Sequence, residues 1–414
     1  MFGDKNVKLR CVRCGRVYDA SPRLLLCPRC GGLLEVIVEP SSPPSWSAWR
    51  AREPGVWRYR ELLPVPDNVQ PVSLGEGATP LTPLTRIDEL RGLHVFAKNE
   101  GMNPTGSFKD RGMTVAVTLA SMLGARAVVV ASTGNTASSA AAYAARAGMR
   151  SIIVVPRGKI ALGKLAQSIL YGAAIVEIEG SFDKALEAVM EATRVNKWLY
   201  PLNSFNPWRL EGQKTIAFEI VEQLGDVPDW VVVPVGNAGN ISAIWKGFKE
   251  LRSHGLIDKL PRLVGVQASG ASPLATAWKK GLRVLVPFDN PETVATAIRI
   301  GRPINWPKAM RAVEESNGLF IDVSDDEILY AQRLLARREG IAVEPASAAS
   351  LAGLLRLARS GLIERGESAV IVLTGHGLKD PDAMMMAETI RLIARDPEEA
   401  AKIVTRLGAP KPHD

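Results

Sequence analysis

Short apolar segments alternate with helix-forming segments along most of this 414-residue chain. The Val-rich segment at residues 127–131 is too short to be anything but a buried strand. The Ala-rich segment at residues 136–147 that follows it is typical of a helix. Strands that are apolar on both faces and separated by helices form parallel sheets with helices on either side. The sequence therefore predicts an α/β fold.

The same pattern predicts the other elements of the chain. Strands are predicted at residues 95–98, 127–131, 152–155, 174–178, 230–235, 263–267, 320–323 and 369–374. Helices are predicted at residues 113–123, 136–147, 162–171, 183–195, 210–223, 326–338 and 346–358, with one more that ends near residue 251. Residues 41–72, rich in proline and tryptophan, are predicted to be a connector draped over the main body. The charged segment 397–414 is predicted to be a tail with a loose end.

Composition narrows the class of protein. Hydrophobic residues make up 46% and charged residues 23% of the chain, which is ordinary for a soluble globular protein. We find no apolar run of membrane-spanning length and no secretory signal at residues 1–10, so we expect a cytoplasmic protein without a membrane partner. The net charge of +8 is scattered over many predicted helices. Composition alone leaves open whether this positive charge attracts a nucleic acid or an anionic small substrate.

All four cysteines lie in the first 30 residues, as Cys11-x-x-Cys14 and Cys27-x-x-Cys30. A glycine follows each pair, which suits a tight turn whose N–H groups point at thiolate sulfur. Two such turns supply the four ligands of a tetrahedral zinc site. Disulfides are the alternative, but they are rare in cytoplasmic proteins. We therefore predict a structural zinc ribbon within residues 1–40.

One lysine stands in an unusual setting. Lys109 lies in the stretch 103–112, among small and hydroxylated residues and just before a predicted helix. Burial beside the free N–H groups of a helix start disfavours the lysine cation, and a neutral amine can form a Schiff base or remove a proton. The alternative is a surface lysine followed by an Asp-Arg pair that begins a helix.

Two strand-to-helix turns carry groups suited to anions. One holds two glycines that let the backbone approach a phosphate, within Gly236, Asn237, Ala238, Gly239 and Asn240. The other offers hydroxyls and an amide that suit a carboxylate or phosphate, from Ser132, Thr133, Asn135 and Thr136. An ordinary turn is the alternative for the first, and simple helix capping is the alternative for the second.

Two further turns follow predicted strands. One carries Asn203 and Arg209, a possible anion contact or simply a capped turn. The other carries Thr374, whose hydroxyl could pair with a heteroaromatic nitrogen, and His376, which among glycines is more often a hydrogen-bonded loop residue than a catalytic one. Because ligands collect at the carboxyl ends of parallel strands, we expect all four turns to line one cleft. Together the turns and Lys109 offer a lysine that can react with an aldehyde, a cradle for a phosphate and a neutral partner for a ring nitrogen. These features indicate a pyridoxal phosphate site.

With these features the chain resembles the threonine synthases, within the fold-type II (tryptophan synthase β-like) pyridoxal phosphate enzymes. The resemblance covers about residues 73–396. It rests on Asn-Pro-Thr-Gly-Ser-Phe-Lys-Asp-Arg-Gly at 103–112, Ser-Thr-Gly-Asn at 132–135, Gly-Asn-Ala-Gly-Asn at 236–240, Glu-Pro-Ala-Ser at 344–347 and Leu-Thr-Gly-His-Gly-Leu-Lys-Asp at 373–380. It implies two parallel-sheet domains, to which the zinc ribbon predicted from the cysteines adds a small N-terminal segment. The larger, cofactor-binding domain would be residues 73–112 and 204–396, and the smaller would be residues 113–203.

The resemblance also implies roles for single residues. Lys109 would bind the cofactor aldehyde covalently and later move protons, while its neighbour Phe108 only packs. The cofactor would be held by its phosphate, ring oxygen and ring nitrogen, at residues 236–240, Asn135 and Thr374 respectively. The substrate carboxylate or phosphate would be held by Ser132, Thr133 and Thr136, with Asn203 and Arg209 helping at the phosphate.

The implied activity is the conversion of O-phospho-L-homoserine and water to L-threonine and phosphate, in threonine biosynthesis. A cysteate synthase that uses O-phosphoserine and sulfite is the alternative, because its substrate also carries a phosphate and a carboxylate. A zinc-ribbon nucleic-acid-binding protein on an inactive scaffold is a further alternative, but here the lysine and the anion turns are intact. We therefore expect an anionic amino-acid substrate, no nucleic-acid partner and, as is usual among relatives, a homodimer.

Overall fold

The computed structural model of the protein describes residues 1–158, 162–385 and 389–408. Within these residues the strands are β1 (Asn6–Cys11), β2 (Val17–Asp19), β3 (Leu34–Glu39), β4 (Leu81–Pro83), β5 (His94–Asn99), β6 (Ala127–Ala131), β7 (Arg150–Pro156), β8 (Ala174–Ile178), β9 (Leu199–Pro201), β10 (Trp230–Pro234), β11 (Arg262–Ala268), β12 (Leu319–Val323) and β13 (Ser368–Leu373). The helices are α1 (Trp46–Arg50), α2 (Lys109–Met122), α3 (Asn135–Arg146), α4 (Leu162–Leu170), α5 (Phe182–Val195), α6 (Trp208–Gln213), α7 (Thr215–Leu224), α8 (Gly239–Ser253), α9 (Pro273–Lys279), α10 (Trp306–Glu315), α11 (Asp325–Glu339), α12 (Pro345–Arg359), α13 (Pro381–Met385) and α14 (Pro397–Gly408).

The larger sheet has six strands in the order β12-β11-β10-β13-β5-β4. Neighbouring strands are parallel except at one edge, where β4 pairs antiparallel with β5. Side chains alternate along β10, so Val232 lies in one apolar core and Val231 and Val233 in another. Helices α11 and α12 contribute to the first core, and α7, α8 and α10 to the second. The predicted α/β architecture, with helices on both faces of a largely parallel sheet, is confirmed.

The smaller sheet has four parallel strands in the order β8-β7-β6-β9. Helices α2 and α3 pack on one face, where Met113 and Tyr143 meet Val128 and Val130. Helix α5 packs on the other face. All four strands lie between residues 113 and 203, although the domain bounds themselves stay a prediction. Helix α2 therefore begins at Lys109 and runs into the core of the smaller sheet.

The N-terminal segment forms a third sheet of three antiparallel strands, in the order β2-β1-β3. The connector that follows contains α1 and a 3-10 helix, Val56–Leu62. Its Trp49 is fully buried and stacks on Phe218 of α7, with ring centroids 5.7 Å apart. The connector therefore contributes to an apolar core of the larger sheet, and does not merely lie on the surface of the main body.

Two predictions at the level of elements need correction or limits, and one helix was missed. The single helix predicted at residues 210–223 is wrong: α6 and α7 are separated at Lys214, where Ala217 N donates to Lys214 O, three residues back, at 3.0 Å. Helix α10 was not predicted. The predicted loose end of the tail, at residues 409–414, lies outside the described residues. No helix of the described part is long and apolar enough to cross a membrane.

Candidate active site

The carboxyl ends of four parallel strands open into one cavity of about 850 Å³. The loops that follow β6, β9, β10 and β13 line it, together with the start of α2. Ligands of open parallel sheets bind at this end of the strands. The cavity contains every site residue that the sequence predicts apart from the cysteines, namely Lys109, Ser132, Thr133, Asn135, Thr136, Asn203, Arg209, Gly236, Asn237, Ala238, Gly239, Asn240 and Thr374.

Lys109 is the first residue of α2, where a helix has N–H groups without intrahelical partners. Its Nζ lies 4.2 Å from the centroid of the Phe108 ring. Burial, and after it the positive charge of Arg209, lower the pKa of Lys109 to about 7. At neutral pH much of this lysine is therefore the free amine, the form that adds to an aldehyde.

The loop after β10 leads into α8, which begins at Gly239. Ala238 has a φ of 63°, and in the described structure no side chain caps the helix that follows. A Cβ at Gly236 would lie only 3.1 Å from Ala297 O. Both polar atoms of the Asn240 amide are buried and lack a hydrogen-bond partner among the described residues. A helix start and an unpaired amide together form a cradle suited to an oxyanion.

The turn after β6 leads into α3. Gly134 is the N-cap of α3, and within the described ranges no side chain caps this end. Ser132 Oγ instead accepts a hydrogen bond from Gly134 N, at 3.3 Å, inside its own turn. Helix capping by Ser132, Thr133 or Asn135, the alternative left open by the sequence, is therefore not what the structure shows. The first N–H groups of α3 remain available to an anion.

Arg209 places a guanidinium on the wall of the cavity. The residue is only 3% exposed, and its Nε has no hydrogen-bond partner in the part of the chain that the structure describes. Burial lowers the pKa of Arg209 to about 10, so the side chain remains charged at neutral pH. Because a buried charge is costly without a partner, this arrangement is typical of a site that receives an anion.

Two predicted contact residues already have partners within the protein. Asn203 Oδ1 accepts from Ala131 N at 3.1 Å, and Asn203 Nδ2 donates to Ala131 O at 2.9 Å. These two bonds tie the ends of β9 and β6 together. Asn135 Nδ2 donates to both carboxylate oxygens of Glu344, at 3.0 and 3.1 Å. Asn203 thus shapes the wall of the cavity, and Asn135 is held by a carboxylate.

Glu344 is a titratable group of the cavity to which the sequence assigned no role, although it lies in the Glu-Pro-Ala-Ser motif. Burial raises the pKa of Glu344 to about 7, against the lowering effects of the Asn135 hydrogen bond and of the Lys379 and Lys109 charges. Ser347 of the same motif lies beside the predicted ring-nitrogen partner, with its Oγ 3.1 Å from Thr374 Oγ1. The motif itself was the signal that could have found both residues.

Asn305 and Lys379 also line the cavity without having been predicted there. Asn305 precedes α10; its Nδ2 donates to Ser204 O at 2.9 Å, and its Oδ1 is buried without a partner among the described residues. Nothing in the sequence around Asn305 indicates this position. Lys379 lies in the last motif of the resemblance but was given no role.

His376 is a loop residue in this structure. Its Nδ1 accepts a hydrogen bond from Leu378 N at 3.1 Å, and its backbone N donates to Gly106 O at 2.9 Å. These bonds fix the loop after β13 against the loop that leads to Lys109. The sequence-based interpretation that favoured a hydrogen-bonded loop residue over a catalytic one agrees with this geometry.

A buried network of charges lies behind Lys109. Arg111, two residues further along α2, is fully buried and pairs with Glu100 at 2.6 Å and with Glu219 at 2.7 Å. Lys98 on β5 pairs with the same Glu219 at 2.6 Å. Removal of any one member would leave an uncompensated buried charge. The network therefore fixes the first turn of α2 between β5 and α7.

The four cysteines lie far from this cavity in sequence and form a separate cluster. Their Sγ atoms all lie within 4.8 Å of one another, and all four thiols are free. The Sγ atoms of Cys11 and Cys30 are 3.5 Å apart, and those of Cys14 and Cys27 are 3.7 Å apart. Zinc–sulfur bonds of about 2.3 Å in a tetrahedron place sulfurs roughly 3.8 Å apart. The donor set therefore fits a zinc ion.

The family of this chain follows from comparison with known proteins. The sequence profile of a family described as "Pyridoxal-phosphate dependent enzyme" matches residues 72–375. The chain belongs to the pyridoxal-phosphate dependent enzyme family. The protein is therefore an enzyme. Pyridoxal phosphate, the cofactor predicted from its four turns, is the cofactor in the family's name.

Several curated members of this family are similar over nearly their whole length. The threonine synthase of Methanocaldococcus jannaschii is 55% identical, over 91% of this chain and 94% of its own. That of Methanosarcina acetivorans is 50% identical, over 91% and 93%. That of Mycobacterium tuberculosis is 51% identical, over 84% and 94%.

Solved structures of other proteins share the fold. Maize serine racemase matches with a TM-score of 0.64 at 23% identity, over 80% of this chain and 94% of its own. Serine racemase from Dictyostelium discoideum matches with a TM-score of 0.59 at 24% identity, over 72% and 92%. At this identity the likeness concerns the architecture alone, which is that of the fold-type II enzymes.

The residues of the cavity fit the cofactor of the family. Lys109 supplies an amine that burial keeps partly uncharged. The loop from Gly236 to Asn240 offers a glycine that no larger residue could replace without a close contact, and a buried amide that lacks a partner among the described residues. These are the amine and the phosphate cradle that pyridoxal phosphate requires.

Proposed function

We propose that this protein acts as a threonine synthase and converts O-phospho-L-homoserine and water to L-threonine and phosphate. The observation that carries the proposal is 55% identity to the Methanocaldococcus jannaschii threonine synthase over 91% of the chain. The cavity supports it, because a substrate with a phosphate and a carboxylate needs at least two anion sites. Arg209 and the open start of α3 supply two, in addition to the loop after β10.

Pyridoxal phosphate, when bound, supplies an aldehyde that links to amines and a ring that delocalises the electron pair left when a proton is removed from carbon. Lys109 would hold the cofactor through its Nζ, and Gly236 to Asn240 would hold its phosphate. Asn135, which Glu344 keeps in place, would orient the ring at the ring oxygen. Thr374 would be a neutral partner for the ring nitrogen, and a neutral partner favours the protonated nitrogen less than an aspartate does.

The substrate is held at its two ends. Ser132, Thr133 and Thr136, at the open start of α3, bind the carboxylate. Arg209 binds the phosphate and, once the carbon–oxygen bond breaks, the phosphate ion that leaves. Asn203 contributes through the strand ends that it ties together, since its amide is already bonded to Ala131.

Lys109 moves the protons of the reaction. With its pKa lowered to about 7, it can accept a proton from the substrate Cα and return one later without a large energetic cost. Glu344, with its pKa raised to about 7, holds a proton for part of the time at neutral pH and keeps Asn135 in place. Both groups are thus poised near the pH at which an acid–base pair works best.

The reaction is tested by identifying the product that the purified, cofactor-loaded protein forms from O-phosphohomoserine. We expect L-threonine and phosphate in equal amounts, and incorporation of labelled oxygen from water into the threonine hydroxyl. Homoserine would indicate simple hydrolysis. Cysteate formed from O-phosphoserine and sulfite, with no threonine from O-phosphohomoserine, would favour the alternative cysteate synthase and contradict the proposal.

A structural zinc ion belongs to the same proposal. Cys11, Cys14, Cys27 and Cys30 would hold it, and four thiolate ligands leave no open position for catalysis. Metal analysis of the protein is expected to show one zinc per chain, and loss of that zinc in Cys14→Ser. The predicted homodimer, the absence of a nucleic-acid partner and the cytoplasmic location stay predictions from the sequence; light scattering in solution tests the first.

A further inference from the structure

Lys379 is a largely buried cation that has no part in the chemistry proposed above. It lies in the 3-10 helix Gly377–Lys379, directly after the last strand of the larger sheet. Its Nζ donates to Thr105 O at 3.1 Å, to Ser138 Oγ at 3.0 Å and to Gln167 Oε1. An ammonium group has three N–H donors, so these three acceptors use all of them.

The three acceptors come from three different parts of the fold. Thr105 lies in the loop that leads to Lys109, while Ser138 lies on α3 and Gln167 on α4. Helix α3 packs on the smaller sheet and against α4. One side chain of the larger sheet therefore bonds at once to the loop before Lys109 and to two helices of the smaller sheet.

Neighbouring contacts make the same connection. Gln167 Nε2 donates to Thr105 O at 3.3 Å, so Gln167 and Lys379 share that carbonyl. The carboxylate of Asp110 accepts from Thr105 N at 2.7 Å and from Ser139 Oγ at 2.5 Å. Consecutive serines of α3 are thus bonded to Lys379 and to Asp110.

The loop before Lys109 is shaped to receive the Lys379 side chain. Gly106 has a φ of 84°, and a Cβ there would lie 3.2 Å from Lys379 Cδ. All three acceptors of the ammonium are uncharged. A cation that is bonded in this way is fixed in direction by its hydrogen bonds, and every donor that it could offer to a substrate is already occupied.

We propose that Lys379 is a positioning residue that latches α3 and α4 against the larger sheet. It thereby places the open N-terminus of α3 opposite Lys109. The inference rests on the proposed function only for its kinetic consequence, since the hydrogen bonds of the latch are contacts within the chain itself. It differs from a role in substrate binding, because the latch depends on the acceptor Gln167 as well as on Lys379 itself.

Amide hydrogen exchange of the cofactor-loaded, full-length protein tests the latch without reference to catalysis. We expect residues 135–146 and 162–170 to exchange about tenfold faster in Lys379→Met and in Gln167→Leu, as expected for the loss of a hydrogen bond to a charged group. Gln167→Glu keeps the acceptor oxygen for Lys379 but loses the Nε2 donor to Thr105 O, so it should exchange more slowly than Gln167→Leu. Lys280→Met, at an exposed lysine, is the matched control. Unchanged exchange in both Lys379→Met and Gln167→Leu would overturn the proposal.

Kinetics separate the latch from an anion-binding role. We expect kcat to fall about tenfold in Lys379→Met and in Gln167→Leu, with no further fall in the double variant, because both remove the same contact. The KM for O-phosphohomoserine should change little, since Arg209 is not part of the latch. If Lys379 instead binds the substrate, Lys379→Met raises KM while Gln167→Leu leaves kcat intact, and that result contradicts the latch. Because Gln167 is only half-buried, its variant keeps the test valid if Lys379→Met does not fold.

Discussion

Two cationic side chains of the cavity are buried, and the charge of one affects the ionisation of the other. Burial lowers the pKa of both Lys109 and Arg209, and the charge of Arg209 lowers that of Lys109 further. The arginine remains a cation because its pKa stays near 10, whereas the lysine becomes a base near neutral pH. One residue is thus suited to an anion and the other to proton transfer.

The lowered pKa of Lys109 predicts how cofactor loading depends on pH. Below about pH 7 the amine is protonated and does not react with the aldehyde; above it the free amine dominates. The rate at which cofactor-free protein binds pyridoxal phosphate, followed by absorbance, should therefore rise with pH through a midpoint near 7. Arg209→Gln removes a nearby positive charge and should move the midpoint upward. A midpoint near the ordinary lysine value of 10.5 would refute the assignment.

Arg209 should govern affinity for the phosphorylated substrate. Arg209→Lys keeps a charge but loses the forked donors, so we expect the KM for O-phosphohomoserine to rise about tenfold to 100-fold, as for loss of a hydrogen bond to a charged group. Binding of pyridoxal phosphate, measured by fluorescence, should change little because we assign its phosphate to a different loop, at residues 236–240. A KM that is unchanged while cofactor affinity falls would mean that Arg209 serves the cofactor.

At this scale the sequence predicted the residues that lie in motifs with a known chemical use. Lys109 and Gly236 could be predicted because a helix start and a glycine turn have local signatures. Glu344 could not be given a role, since its partner Asn135 is 209 residues away in sequence. The same holds for Lys379, which bonds to Ser138 across 241 residues. Long-range pairs of this kind follow from the packing of two sheets, and no local pattern encodes them.

At the scale of elements, the crossing of α2 and α6 brings the two cations together. Lys109 begins α2 and Arg209 lies in α6, and the helices touch at glycines. A Cβ at Gly112 would lie 2.6 Å from Arg209 O, and a Cβ at Gly212 would overlap the carbonyl of Arg111. Two glycines therefore set the distance between the helices, and with it the position of both side chains.

Gly212→Ala should force α2 and α6 apart. We expect the free energy of unfolding to fall by about 3 kcal/mol, as for an added methyl group in a tightly packed core. Activity should fall as well, because Lys109 and Arg209 move relative to each other. Gly408→Ala is the matched control, since a Cβ there meets open space. Denaturant unfolding and steady-state kinetics measure the two effects. A variant as stable and active as the wild type would show that the crossing tolerates expansion.

Elements were predicted correctly where the apolar residues of a segment followed one clear pattern. Prediction failed where tertiary packing overrode that local pattern. Strands β6 and β8 have the predicted bounds because Val-rich and Ile-containing runs between helices leave few alternatives. The helix break at Lys214 was missed, because its cause is tertiary: Lys214 is fully buried and its Nζ bonds to Leu62 O at 2.7 Å. Helix α10 was missed because the long loop before it has no periodicity.

At the scale of the whole molecule, the N-terminal ribbon packs on the catalytic body. Leu9, Leu34 and Val36 of the ribbon share an apolar cluster with Val115 of α2 and Trp208 of α6. Those two helices carry Lys109 and Arg209. The ribbon therefore supports the side of both helices that faces away from the smaller sheet.

Cationic side chains fasten the ribbon from the other side. Lys308 Nζ donates to Leu34 O at 2.7 Å, and Lys246 Nζ donates to Val36 O at 2.6 Å. Tyr200 of β9 also donates to Pro22 O at 3.1 Å, so the ribbon contacts both sheets of the body. A structural change in the ribbon is thus expected to affect the elements around both sheets.

Removal of the proposed zinc ion should therefore lower the stability of the whole protein, and not only that of the ribbon. We expect a chelator to lower the thermal midpoint of the whole protein, by about 1 °C for each kcal/mol of metal-linked stability that is lost. Activity should decline in parallel, and added zinc should restore both. Calorimetry with and without chelator measures the effect. A ribbon that unfolds alone, while the main transition stays unchanged, would show that the ribbon is not coupled to the body.

We propose that four turns from two sheets form one pyridoxal phosphate site around Lys109. This site is tested by reducing the cofactor-loaded protein with borohydride, which fixes the cofactor to its lysine, and mapping the modified peptide by mass spectrometry. We predict a single modification at Lys109 and none in Lys109→Ala. Modification of a different lysine, such as Lys379, or none in the wild type, would show that Lys109 does not carry the cofactor.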